Sequence, residues 1–240
     1  MMAESSRDSG TLYGLGVGPG DPELLTVKAL RVLEHVPVVA YVAPDGGSSL
    51  ARSIVARHLK GGQVEIAFAV PMKTDPGPAR EAYEKSVAEI AGHLRDGCDV
   101  AVLCQGDPFF YGSFMYLFER LAGVHPVEVV PGVTSLTAAA ALAGMPLVSR
   151  QEVLCVVPAT LSEEALEARL AIPEVAAVVK VGRHLAKVRR VLQRLGRSQR
   201  ARYVERAGMD GERVLALDDA GDGTAPYFSI VLVGAEAAKR

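Results

Sequence analysis

The chain has 240 residues, of which 49% are hydrophobic, 22% charged and 5% aromatic, with 26 Lys and Arg against 28 Asp and Glu. That is enough apolar material for one large or two small packed domains, and it excludes a disordered chain. The formal charge of −2 argues against a partner such as nucleic acid or anionic membrane held by bulk electrostatics, which needs a basic excess.

Residues 1–10 are polar and charged, without the apolar core of a signal peptide, and read as a disordered tail. Residues 11–17 form the first strand, ending in the Gly-rich turn GVGPGD at 16–21. A helix is predicted over 22–36, with Leu25, Ala29, Val32 and Val36 on one face. Leu24, Val27 and Leu30 lie off that face, which predicts a helix covered around most of its circumference. Strand 38–42, helix 49–59 and strand 64–70 follow, then a longer helix with Ala79, Tyr83, Val87, Ile90 and Leu94 on one side. Strand 99–104 stops at QGDP, and helix 111–121, strand 126–130 and the Ala-rich helix 134–143 complete this half. The uncharged run 129–149 is interrupted by Pro131, Gly132, Gly144 and Pro146, so it predicts a buried helix and no membrane span.

Residues 144–147 are the expected linker. Beyond it the strands are 153–157, 175–181, 202–205, 213–217 and 228–233, with helices only at 163–170 and 185–195. The last three strands are joined by Gly- and Asp-rich turns, which predicts antiparallel neighbours. The fold class is therefore α/β: a mainly parallel five-stranded sheet in 11–145 and a mixed five-stranded sheet in 146–240.

Ligands of open α/β sheets bind beyond the carboxyl ends of the strands, where three loops stand out. The glycines of GVGPGD permit a sharp turn or a close ligand approach. Their spacing is neither the GxGxxG dinucleotide fingerprint nor a GxxxxGK[ST] phosphate loop. In GDPFFYG at 106–112, Asp107 is positioned to bind a ribose hydroxyl, a cation or a backbone amide. In PGVTS at 131–135, Thr134 or Ser135 either caps the helix or touches a ligand. Three cysteines without CxxC spacing and five scattered histidines predict no metal site, no disulfide framework and a reducing, cytoplasmic setting. No GxSxG or HExxH motif is present. The expected chemistry is the positioning of two small molecules, as in a cleft between domains.

Taken together, GVGPGDPELLTVKA at 16–29, GDPFFYGSFMYL at 106–117 and PGVTSLTAAAA at 131–141 resemble the tetrapyrrole methylase family of S-adenosylmethionine-dependent transferases. The resemblance spans nearly the whole chain after the tail. It implies a two-domain homodimer with the active site in the cleft between domains. It implies S-adenosyl-L-methionine as methyl donor, S-adenosyl-L-homocysteine as product, no metal, and a tetrapyrrole substrate. Residues 108–121 and 143–161 favour methylation of precorrin-2 at C(20), with the cobalt-containing substrate, a dinucleotide oxidoreductase and a catalytically silent tetrapyrrole carrier as alternatives.

Carried over by position, the cofactor would meet Pro19, Gly106, Asp107, Thr134, Ser135, Val181, Ala207 and Tyr227. The substrate would meet Gly18, Tyr111, Arg150 and Arg183. Its carboxylates require cations, for which Lys28, Arg52, Lys73, Arg150, Arg183 and Lys187 are the candidates. No residue identifies itself as the base that removes the C(20) proton; Tyr111, His184 and water are all candidates.

Overall fold

The computed structural model describes residues 9–43, 47–69, 76–172, 174–221 and 223–235. Lys73 and most of the predicted tail lie outside them. The chain divides into two compact units, Met1–Thr134 and Ser135–Arg240.

The first unit runs β1 (Leu12–Gly16), α1 (Val27–His35), β2 (Val38–Ala43), α2 (Leu50–Ile54), β3 (Val64–Ala69), α3 (Pro76–Arg95), β4 (Val100–Cys104), α4 (Phe114–Leu121) and β5 (Val127–Val130). Its strands are all parallel, in the order β3-β2-β4-β1-β5. Alternation along β4 feeds two cores. Val100, Val102 and Cys104 pack with Ile90 and Leu94 of α3 and Phe114 and Leu117 of α4. Ala101 and Leu103 pack with Ala29 and Leu33 of α1 and Ile54 of α2. Period-two burial on both faces is what a parallel sheet covered by helices requires.

The predicted helix 22–36 is two pieces. Asp21 accepts from the Glu23 N–H at 2.8 Å to start a 3-10 turn over Pro22–Leu24, Leu25 turns extended, and Thr26 caps α1 through the Ala29 N–H at 3.1 Å. A Thr four residues into an apolar run is a second helix start, because its hydroxyl takes an otherwise unpaired amide. The buried face of α1 is Ala29, Leu33 and Val36, with Leu25 and Val32 at its margin. Val27 is 73% exposed, so the helix is not covered around most of its circumference. The helix predicted from 49 to 59 likewise breaks at Val55 into α2 and a 3-10 turn, Ala56–His58.

The second unit comprises α5 (Ser135–Leu142), β6 (Leu154–Pro158), α6 (Glu163–Leu170), β7 (Val175–Val179), α7 (Leu185–Arg194), β8 (Ala201–Glu205), β9 (Arg213–Ala216) and β10 (Ser229–Val233). The division thus falls ahead of α5, which lies against β10, and not after it at the Gly144–Pro146 breakers. The sheet order is β6-β7-β10-β8-β9. β6 and β7 are parallel, β10 is antiparallel to both β7 and β8, and β8 is antiparallel to β9. The last three strands are antiparallel neighbours as expected, in the order β10-β8-β9, but of the two consecutive pairs only β8 and β9 lie side by side. The chain leaving β9 passes β8, and β10 inserts between β7 and β8, so β9 and β10 do not pair. One core packs α6 and α7 onto Ala176, Val178, Tyr203, Val231 and Val233.

Candidate functional site

In the first sheet, β1 and β4 are neighbours whose onward connections leave in opposite directions, to β2 and to β5. The carboxyl ends of such a pair bound the crevice that open α/β sheets use for ligands. The three sequence motifs meet there through their backbones. Gly18 and Gly106 form an antiparallel bridge, with N–H to carbonyl distances of 3.3 and 2.7 Å. A Cβ on Gly132 would sit 2.1 Å from the Gly106 carbonyl oxygen, and one on Gly16 would sit 2.5 Å from the Gly132 nitrogen. These glycines are required because three main chains touch.

Asp107 joins the second and third loops. Its Oδ1 accepts the Phe109 N–H at 2.9 Å and its Oδ2 the Gly132 N–H at 3.0 Å. Of the three roles open to this carboxylate in the sequence, the structure shows the backbone-amide one. It does not cap α4, which begins only at Phe114. Pro19 is buried, and its carbonyl accepts from Gln105 Nε2 at 3.2 Å. The helix predicted from 111 starts later because residues 108–112 wind into a tight turn. A Cβ on Gly112 would meet the Pro108 carbonyl at 2.5 Å, and Tyr111 adopts φ 55° with its ring 42% exposed. Thr134 stands immediately before α5, and the exposed Ser135 is that helix's first residue.

The second sheet gathers Val181, Ala207 and Tyr227 at one edge. β7 and β8 both run antiparallel to β10, so they share a direction, and both end where β10 begins. Lys180 and Val181 follow β7, Arg206 and Ala207 follow β8, and Tyr227 precedes β10 between them. The segment before β10 bonds both turns. Phe228 O accepts the Arg206 N–H at 2.8 Å, Ser229 Oγ accepts the Gly182 N–H at 3.3 Å, and the Ala225 N–H donates to Gly182 O at 3.3 Å. Tyr227 is 58% exposed, its ring edge-on to Phe228. Val181 is fully buried and Ala207 nearly so. Neither donates its N–H to a protein acceptor among the described residues. More than nine buried amides in ten are paired, and an unpaired one costs about 1–3 kcal/mol, so these two N–H groups remain available to an acceptor.

The candidate cations separate. Lys28 forms an ion pair with Glu128. Arg52 forks onto Glu65 at 2.9 and 3.0 Å, where its hydrogen bonds and that of Tyr41 hold the Glu65 carboxyl below the usual range against burial. Lys187 donates to the Leu161 carbonyl. Arg150 and Arg183 make no side-chain hydrogen bond or ion pair to a described residue. Arg183 belongs to the turn beside Val181, whereas Arg150, at φ 49°, leads into the amino end of β6, the opposite edge of that sheet. The structure therefore does not bring Arg150 to the Val181–Ala207 edge. Burial, with the charges of Lys187 and Arg183, lowers the His184 pKa and favours its neutral imidazole. Cys104 is a buried thiol pushed upward by desolvation, and Cys98 and Cys155 are half-buried free thiols. No metal-binding cluster occurs among the described residues, and no helix there is long and apolar enough to cross a membrane.

Residues 11–219 match the model of the tetrapyrrole (corrin/porphyrin) methylases. The chain belongs to the tetrapyrrole methylase family. Among relatives of this methylase, a precorrin-2 C(20)-methyltransferase from Sinorhizobium is 46% identical, covering 93% of this chain and 95% of its own. A cobalt-precorrin-2 C(20)-methyltransferase from Salmonella typhimurium is 32% identical over 94% and 96%. Among solved structures, the uroporphyrin-III C-methyltransferase of Thermus thermophilus complexed with S-adenosylhomocysteine superposes with a TM-score of 0.67, at 28% identity over 94% and 92%. Among the described residues, Val181 and Ala207 thus carry buried amides without a protein acceptor. Sequence reasoning reached both residues by resemblance and missed Gln105, Gly132, Ser229 and the left-handed Lys180 and Arg206. Only the glycine carried a signal, since nothing in a basic side chain announces a positive φ.

Proposed function

We propose that this methylase transfers a methyl group from S-adenosylmethionine to C(20) of precorrin-2, giving precorrin-3A and S-adenosylhomocysteine on the route to cobalamin. The reading rests on the 46% identity to the Sinorhizobium enzyme over nearly the full length of both chains, against 32% for the Salmonella cobalt-substrate enzyme. S-adenosylmethionine, when bound, supplies a methyl already activated on a sulfonium, so the protein's task is orientation.

The amides of Val181 and Ala207, with Tyr227 beside them, are assigned to the adenosine. Pro19, Gly106, Asp107, Thr134 and Ser135 are assigned to the methionine and ribose portion. Gly18 and Gly106 spend their own amides on each other, so neither of these two N–H groups is offered to the ligand. Arg183, without a partner among the described residues, is assigned to a substrate carboxylate, and Tyr111 to the macrocycle. As the new carbon–carbon bond forms, the C(20) proton leaves, to water or to a neutral acceptor such as the His184 imidazole. We place the reaction in the cytoplasm and the enzyme as a homodimer, which sedimentation equilibrium tests.

The deciding experiment incubates the protein with S-adenosylmethionine and precorrin-2, with and without cobalt, and follows pigment mass. One methyl gained on the metal-free pigment is the expected result. Gain on the cobalt form alone transfers the reading to that substrate, and gain on neither sinks both, leaving the silent carrier.

A further inference from the structure

Among the described residues, four other than glycine have positive φ: Tyr111, Arg150, Lys180 and Arg206. Two of them, Lys180 at 56° and Arg206 at 49°, sit at matching places, each the residue just after a strand and just before a buried amide that has no partner among the described residues. A residue with a Cβ costs roughly 1–2 kcal/mol in this conformation, which is why glycine usually occupies it. Such strain survives only where the surroundings over-determine it, and here they do.

On the β7 side, the His184 N–H holds Val181 O at 2.7 Å, while Gly182 is bonded through its N–H to Ser229 and through its carbonyl to Ala225. On the β8 side, Arg206 is fixed through its N–H to Phe228 and through its carbonyl to the Met209 N–H at 2.8 Å. One residue earlier, the buried Glu205 carboxylate accepts from Tyr203 at 2.6 Å and Arg213 at 2.8 Å. At Lys180 the left-handed residue is followed by Val181 at φ −63°, ψ −61°. That alternation of hand turns successive N–H groups toward one concave point, the arrangement of main-chain anion and acceptor sites.

We propose that Lys180 and Arg206 are positioning residues whose left-handed backbone, and not whose charge, holds the Val181 and Ala207 amides toward the acceptor atoms of a bound adenosine. The inference rests on the methyl-transfer reading for the identity of the ligand and goes beyond it in naming the device. The two amides flank β10 and stand about two strand spacings, roughly 10 Å, apart, a span that separate regions of one nucleoside can fill. A Cβ at each position narrows the backbone's freedom. The amides are thus pre-aimed before the ligand arrives, and less order has to be imposed on binding.

The test compares Lys180→Gly and Arg206→Gly with Lys180→Ala and Arg206→Ala, reading S-adenosylhomocysteine affinity by calorimetry and thermal midpoint by scanning. Glycine relieves the strain and frees the turn. Its variants should keep or raise the midpoint while binding about five- to tenfold more weakly. Alanine keeps the Cβ and removes the charge, and should bind within twofold of the parent. Alanine variants as weak as the glycine ones would show that the charge binds, and would overturn the proposal. Glycine variants that bind normally, or that lose midpoint and affinity together, would overturn it too. If the parent binds no S-adenosylhomocysteine, the failure lies with the methyl-transfer reading itself.

Discussion

Each oxygen of the Asp107 carboxylate takes one main-chain N–H, from Phe109 and from Gly132, so removing it releases two loops at once. Hydrogen bonds to a charged group contribute about 1.5–3 kcal/mol each, less where half-exposed. Asp107→Ala should lower unfolding free energy by about 2 kcal/mol in a denaturant titration and weaken S-adenosylhomocysteine binding in parallel. Asp107→Asn, which retains one acceptor oxygen, should fall between. Loss of affinity at unchanged stability would mean that the carboxylate meets the ligand itself. Gly132→Ala is the sharper change, because its Cβ would lie 2.1 Å from one backbone atom and 2.8 Å from another. Neither is the end of a flexible side chain, so a cost of about 3 kcal/mol or more is expected, visible as a fall in thermal midpoint.

The ends of elements carry most of the information at the next scale. Glu205 closes β8 with a carboxyl that burial alone would push up, yet hydrogen bonds from Arg213 and Tyr203 outweigh burial and leave it below its usual value. A carboxyl depressed in the folded state stabilises above the ordinary carboxylate range, and that stability is lost as pH falls through the folded value. Unfolding free energy should therefore decline with acidification below about pH 4.5, and Glu205→Gln should remove part of that slope, as urea titrations at several pH values would show. The interiors of the elements were legible in the sequence: the continuous apolar run of β4, buried throughout, the stripe of α3 and the alternation of strands and helices along the first unit all follow from residue pattern. The ends were not. Thr26 restarts a helix inside an apolar run, and Tyr111 leaves the helix that its neighbours suggest. The allegiance of α5 depends on β10, which lies almost a hundred residues away, and local pattern does not report such pairings.

At the scale of the molecule, a formal charge of −2 meets a polycarboxylate substrate, so attraction has to come from local cations that have no carboxylate of their own. Among the described residues no carboxylate pairs with Arg183, whereas Lys28 and Arg52 each have one. Arg183→Ala should raise the KM for precorrin-2 about tenfold with S-adenosylhomocysteine affinity unchanged. Added salt should raise the parent's KM by screening and the variant's less; equal salt dependence would remove Arg183 from the substrate's path.

The place of β10 has a consequence for how the molecule is made. It is the last in chain order of the ten strands among the described residues, yet it lies in the middle of its sheet. While the chain is still emerging from a ribosome, β7 and β8 each present an open edge of unpaired amides and carbonyls that only residues 229–233 will close. Exposed edges of this kind recruit other chains. A message cut short before codon 229 would therefore yield not a slightly smaller enzyme but a split sheet, a form suited to aggregation and proteolysis.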